Sequence, residues 1–147
     1  MRYMLYDTDE EKVSLESEAE YLQSYIDLQQ QRLSKRAVVA VNICKGDRTY
    51  EIDPMLLIPF VENAFKHGTG FIENPRIDID LKAKNDILYF RVSNTYDPAS
   101  QQVKDKASGI GLANVRRRLD LLHPGNYTLD ITRENSVFTV SLQINLS

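Results

Sequence analysis

Cysteine is almost missing from this sequence. Cys44 stands alone among 147 residues, which excludes an intrachain disulfide and a zinc site built on cysteines, and suits a reducing compartment. Long apolar runs are missing as well. The longest, Met55 to Val61, is broken by Pro59. It falls far short of the ~20 residues that cross a bilayer, and no apolar signal core opens the chain, so no membrane contact is expected. Nor is there a run of Lys and Arg interleaved with aromatics, and the net charge is −3, which argues against a nucleic-acid partner. Histidine occurs only twice, at His67 and His123. What remains is 42% hydrophobic, enough for the single core of one α/β or α+β domain with an appendage.

The patterning places the elements. Ser14 is a good N-cap, followed by Glu16 and Glu18 where the helix dipole favours acids. Leu15, Ala19, Leu22, Ile26 and Leu33 then form one stripe, which Tyr21, Tyr25 and Leu28 widen. Such a helix either packs on the chain's own core or leads in from a dimerising stalk. AVVAVNIC and TYEID read as strands joined in a hairpin by Lys45-Gly46-Asp47-Arg48. Asp53 is expected to cap a second helix with Pro54 at its first position, ended by Gly68 and Gly70. RIDIDLKAK and ILYFRVSN form another hairpin, residues 96 to 108 read as a mobile loop, and GIGLANVRRRLDLLH makes a third helix stopped by Pro124-Gly125. YTLDITRE and SVFTVSLQINL close the chain as strands. The order predicts a mixed sheet with helices on one face, a two-layer α/β (α+β) sandwich.

Within PFVENAFKHG the helical period divides the residues. Leu57, Ile58, Val61, Ala64 and Phe65 fall on one arc, and Glu62, Asn63, Lys66 and His67 on the opposite one. An i,i+4 pair of Glu62 with Lys66, and His67 offsetting the dipole, would account for the polar arc as a solvated surface. Asn is a poor interior helix former, however, and a neutral oxygen ligand beside a cation suits a Mg²⁺-bound polyphosphate, with Asn63 on the metal and Lys66 on a phosphate oxygen. SGIGL adds a second element, two glycines that let backbone N–H groups approach an anion at a helix N-terminus.

In this order, IPFVENAFKHG, the strand ending Ser93-Asn94, the loop and GIGLANVRRRL, the chain resembles the Bergerat-type ATP-binding domain shared by sensor histidine kinases, gyrase and MutL. Together with VSLESEAEYLQSYIDLQQQR before them, the motifs are similar to those of LytS-type sensor histidine kinases, the membrane-tethered sensors of bacterial two-component systems. The resemblance implies an ATP-binding GHKL domain over residues 37 to 147, preceded by a segment and helix over 1 to 36. It implies ATP and Mg²⁺ as ligands, with Asn63 on the metal and Lys66 and His67 near the phosphates. Gly109 and Gly111 would wrap those phosphates, and Leu112 and Asn114 belong to the same motif. Asn94 stands where the family usually has an aspartate that accepts from the adenine amino group. An Asn oxygen accepts too, without charge assistance. Thr95 and Tyr96 replace the usual small and glycine residues after it.

Where gyrase-like hydrolases carry a water-activating glutamate, this chain has Pro59, which disfavours hydrolysis. Glu62 is the remaining candidate catalytic carboxylate, polarising an acceptor imidazole or ordering the metal's water shell. Neither His67 nor His123 lies in the setting of a phosphoacceptor. MRYMLYD resembles the stretch just after the phosphoacceptor helix of such sensors, so the chain reads as the catalytic fragment of a longer sensor, unable to label itself. The implied partners are a response regulator and a second copy in the full-length homodimer, and the implied place is the cytoplasmic side of a bacterial inner membrane. Two rivals remain, a degenerate module that keeps the fold for protein interaction and a serine kinase of the anti-sigma type.

Overall fold

Alternation governs the sheet. Arg76–Lys84 and Ile87–Thr95 switch between apolar and polar at each step, and both become strands with every second side chain buried. In the computed structural model the described residues are 12–33, 35–44, 46, 48–67, 75–96 and 101–146; for residues 67 and 101–111 this covers the backbone path alone. Along the chain run β1 (Val13–Ser14), α1 (Leu15–Gln30), β2 (Val38–Ile43), β3 (Glu51–Ile52), α2 (Ile58–His67), β4 (Arg76–Lys84), β5 (Ile87–Thr95), α3 (Gln101–Leu122), β6 (Tyr127–Glu134) and β7 (Val137–Asn145).

Five strands form a sheet in the order β2-β4-β5-β7-β6. Only β2 and β4 run parallel, with Val38 opposite Arg76; every other pairing is antiparallel, as with Ile77 opposite Asn94. Two hairpins hold the register, β4 to β5 and β6 to β7. Their turns place Asn85 and Asp86 at φ 54° and 67°, and Asn135 and Ser136 at φ 53° and 62°. A two-residue turn with both positions left-handed matches the twist of its strands. One face of the sheet offers Ile77, Ile79, Leu81, Leu88, Phe90, Val92, Val140, Leu142 and Ile144, and the buried side chains of all three helices join it in a single core. The other face carries Asp80, Lys82 and Arg91, all exposed. The expected mixed sheet with helices on one face is therefore found.

Helix α1 starts where its cap predicts, the Ser14 hydroxyl accepting from Ser17 N at 3.0 Å. Leu15, Ala19, Leu22 and Ile26 are each at most 2% exposed, so the stripe packs on the chain's own core. Burial of each of Leu15, Leu22 and Ile26 contributes about 1.5–3 kcal/mol. Tyr21 and Leu28 do not widen that face; they are 46% and 53% exposed, and only Tyr25 leans in, meeting Phe65 edge to face at 6.1 Å.

Three expectations fail for physical reasons. First, β2 and β3 are not a hairpin: β2 lies parallel to β4, while β3 pairs with β1 in a separate two-stranded ladder. A parallel neighbour needs a crossover, and residues 44 to 75 supply one that carries α2. Gly46 does turn, at φ 108°, but a Cβ there would meet the Tyr50 ring at 2.8 Å, so its glycine serves close packing as well. Second, Asp53 does not cap α2, which begins at Ile58. Pro59 is then the second helical residue, where its missing N–H is one of the unpaired donors of a helix start. Third, residues 101–108 are helical rather than a loop, and α3 runs through Gly109 and Gly111. Gln, Lys and Ala are strong helix formers, and their local preference carries α3 across both glycines at a cost of about 1 kcal/mol each. The expected stop at Gly68 and Gly70 lies outside the described residues, whereas Gly125 turns the chain after α3 at φ 73°.

Candidate functional site

Helix α2 is divided as its period predicts. Ile58, Val61, Ala64 and Phe65 are buried, as is Phe60 at 1%, whose ring meets Phe90 edge to face at 6.0 Å. Glu62 and Lys66 are exposed and Asn63 is half-buried, so the polar arc faces away from the core. The side chain of His67 lies outside the described residues. Among the described residues no ion pair joins Glu62 to Lys66, so a helix-stabilising pair does not account for the arc. Burial first, then the Glu62 carboxylate and Tyr21, push the Tyr25 phenol above its ordinary pKa.

Asn94 stands near the end of β5 and is 3% exposed, one of four buried polar side chains among the described residues. Its Nδ2 donates to the Thr95 carbonyl at 2.9 Å. A carbonyl oxygen only accepts, so this bond fixes the amide orientation and leaves Oδ1 as the acceptor. Tyr96 is half-buried and packs against the core. On α3, Leu112 is buried and Asn114 exposed. Gly109 and Gly111 are interior helical residues, so the helix start proposed for them lies instead at Gln101.

Residues that the sequence reading missed tie α2 to its neighbours. Asp53 is 2% exposed and meets His123, 6% exposed, with Oδ2 and Nε2 at 2.5 Å. Burial alone would raise the Asp53 carboxyl, but the His123 hydrogen bond and charge, with Lys12 beyond, outweigh it and hold the pKa below the usual carboxylate value. Arg118 Nη2 donates to the Pro54 carbonyl at 2.6 Å and Nη1 to that of Met55 at 3.0 Å. Glu18, 6% exposed, accepts from Met55 N at 3.2 Å. A signal for Glu18 was present, since it falls three residues after Leu15 and four before Leu22, on the core side of α1. For Asp53, Arg118 and His123 none was, because long-range pairs leave no local period.

Fold and motifs together define a class. Residues 55–145 match the family model of the GHKL domain, and residues 1–37 match a model described as histidine kinase. The chain therefore belongs to the GHKL domain family. It is 26% identical over 133 residues to sensor histidine kinase BtsS of Escherichia coli (strain K12), a match that covers 88% of this chain and 23% of BtsS. The chain thus spans about a quarter of the length of the curated relatives it matches. The catalytic domain of histidine kinase ThkA superposes with TM-score 0.67 at 17% identity, over 92% of this chain and 96% of that one. Histidine kinase AdeS of Acinetobacter baumannii gives 0.62 at 13% identity, over 93% and 67%. Full-length ShkA in complex with AMPPNP gives 0.60 at 17% identity, over 86% and 29%. At these identities the structural likeness establishes the fold. Among the described residues no helix is long and apolar enough to cross a membrane.

Proposed function

We propose that this chain is the ATP-binding catalytic domain of a LytS-type sensor histidine kinase, which transfers the γ-phosphoryl group of ATP to a histidine upstream and from there to a response regulator. Residues 1 to 36 are the segment and helix after the phosphoacceptor region, and residues 37 to 147 hold the nucleotide. The intact sensor works as a homodimer anchored in a bacterial inner membrane, with this portion on the cytoplasmic side.

The observation that carries the reading is the division of α2 inside the GHKL match, where a fully packed face backs an outward set of Glu62, Asn63 and Lys66. Nucleotide chemistry fits these residues. Asn94 Oδ1 accepts from an adenine amino group, the Asn63 oxygen holds Mg²⁺, and Lys66 with His67 lies against phosphate oxygens. The metal, when bound, neutralises phosphate charge. Glu62, next to Asn63, polarises an acceptor imidazole or orders the metal's water shell. Unwinding the first turns of α3 would free the amides of Gly109 and Gly111 to donate to phosphate, with Leu112 anchoring the next turn and Asn114 beside it.

Calorimetry with Mg-ATP is the test. The chain should bind nucleotide, and Asn63→Ala should abolish binding while leaving apo thermal unfolding nearly unchanged. A specific observation favours one rival, a degenerate module that binds partners only. Tyr96, two residues after Asn94, packs against the core where the resemblance places a glycine. No binding by the parent chain at millimolar Mg-ATP would establish that rival.

A further inference from the structure

We propose that the turn at Pro54 and Met55 is the joint that sets the orientation of α2, with Arg118 and Glu18 as its positioning residues. The consequence for ligand binding rests on the nucleotide reading above; the joint itself does not.

Residues 53 to 57 lead from β3 into α2, and side chains from two other helices hold them. Arg118 of α3 caps two successive carbonyls, those of Pro54 and Met55, with its two terminal nitrogens. Glu18 of α1 takes the N–H of Met55. Met55 sits at φ 62°, a region that side-chain-bearing residues rarely adopt, and it is gripped at both its N–H and its carbonyl. Two residues earlier, Asp53 is locked to His123 just past the end of α3. The entry to α2 is therefore fixed from outside its own packing. A planar guanidinium suits this task because its fork fixes direction as well as distance.

Two features make the joint more than a local brace. Arg118 lies seven residues, about two helical turns, after Gly111 on the same helix, so it links the orientation of α2 to the glycine stretch of α3. Glu18 Oε2 is buried and has no hydrogen-bond partner among the described residues. A buried carboxylate with half its acceptors unused is poorly compensated, so the Glu18 contact is the member of the joint that a small movement of α1 displaces most easily. Helix α1 sits within the segment matched by the histidine kinase model, close behind the chain's first residues. A shift arriving there reaches Met55 through this hydrogen bond, beside the direct Tyr25–Phe65 contact of α1 with α2.

The test measures geometry first and ligand second. Spin labels at Lys66→Cys and Arg117→Cys, in a Cys44→Ser chain, report the separation of α2 and α3 without nucleotide. The parent should give one narrow distance distribution. Arg118→Met and Glu18→Ala should each broaden it or shift its maximum by about 1–2 Å, whereas Glu18→Gln, which keeps the acceptor, should retain the parent distribution. If Arg118→Met fails to fold, Arg118→Lys, with one donor group in place of the fork, should show the broadening. Unchanged distributions in Glu18→Ala and in the folded Arg118 variant would overturn the joint. In unlabelled chains, well below the unfolding temperature, Arg118→Met should weaken Mg-AMPPNP about tenfold and Glu18→Gln less than twofold. An equal affinity in Arg118→Met would mark a purely structural role and overturn its part in positioning. A parent chain that binds no nucleotide contradicts the proposed function, while the distances still decide the joint.

Discussion

Helices α2 and α3 carry the two halves of one proposed site, yet they are held in different ways. Along its ten residues α2 buries Ile58, Phe60, Val61, Ala64 and Phe65, so its polar arc is presented by a rigid support. Helix α3 buries Leu112, Val115 and Leu119 in its second half, and Arg118 and His123 tie that half down. Its first eight residues, QQVKDKAS, include Val103 as the one large apolar side chain. Packing holds α2 along its whole length, while α3 carries two glycines within its helix, each costing about 1 kcal/mol. On the nucleotide reading proposed above, α2 serves as a fixed limb and the glycine stretch of α3 as a convertible one.

The comparison breaks most severely at Phe60. Phe60→Ala removes a fully buried ring that meets Phe90, and should lower unfolding free energy by about 3–5 kcal/mol in urea titrations. Acid is the next lever, and it acts on the fixed half of α3. Because the folded pKa of Asp53 is depressed, its stabilisation is complete above the unfolded value and is lost as pH falls through the folded one. Melting temperature should therefore drop as pH is lowered below about 4, a carboxylate's ordinary pKa. Asp53→Asn should flatten that part of the profile.

The smallest effect sharpens the contrast. Gly109→Ala and Gly111→Ala should each stabilise apo α3 by up to about 1 kcal/mol, seen as a modest rise in melting temperature. The same changes should weaken Mg-ATP binding, because a better helix resists the unwinding that frees its amides. If both properties improved together, the convertible limb would be the wrong description.

Much of this was legible in the sequence. Period-two alternation gave β4, β5 and β7, Ser14 gave the start of α1, and the 3.6 period gave both faces of α2, since each signal lies within one element. What escaped depends on partners far along the chain. The parallel pairing of β2 with β4 hid behind a hairpin-like Lys-Gly-Asp-Arg stretch, and Asp53 carried a capping signature that His123 overrides. The extent of α3 was misjudged for a subtler reason. Its polar composition suggested a loop, but Gln, Lys and Ala favour helix.

The central claim is that α2, the end of β5 and the glycine stretch of α3 close on one Mg-nucleotide. Amide resonances of the ¹⁵N-labelled chain, titrated with Mg-AMPPNP, test it most directly. The prediction is that Asn63, Lys66, Asn94, Gly109 and Gly111 shift together with a single affinity. Shifts confined to Asp80, Lys82 and Arg91 on the open face of the sheet, with those five unmoved, would contradict it.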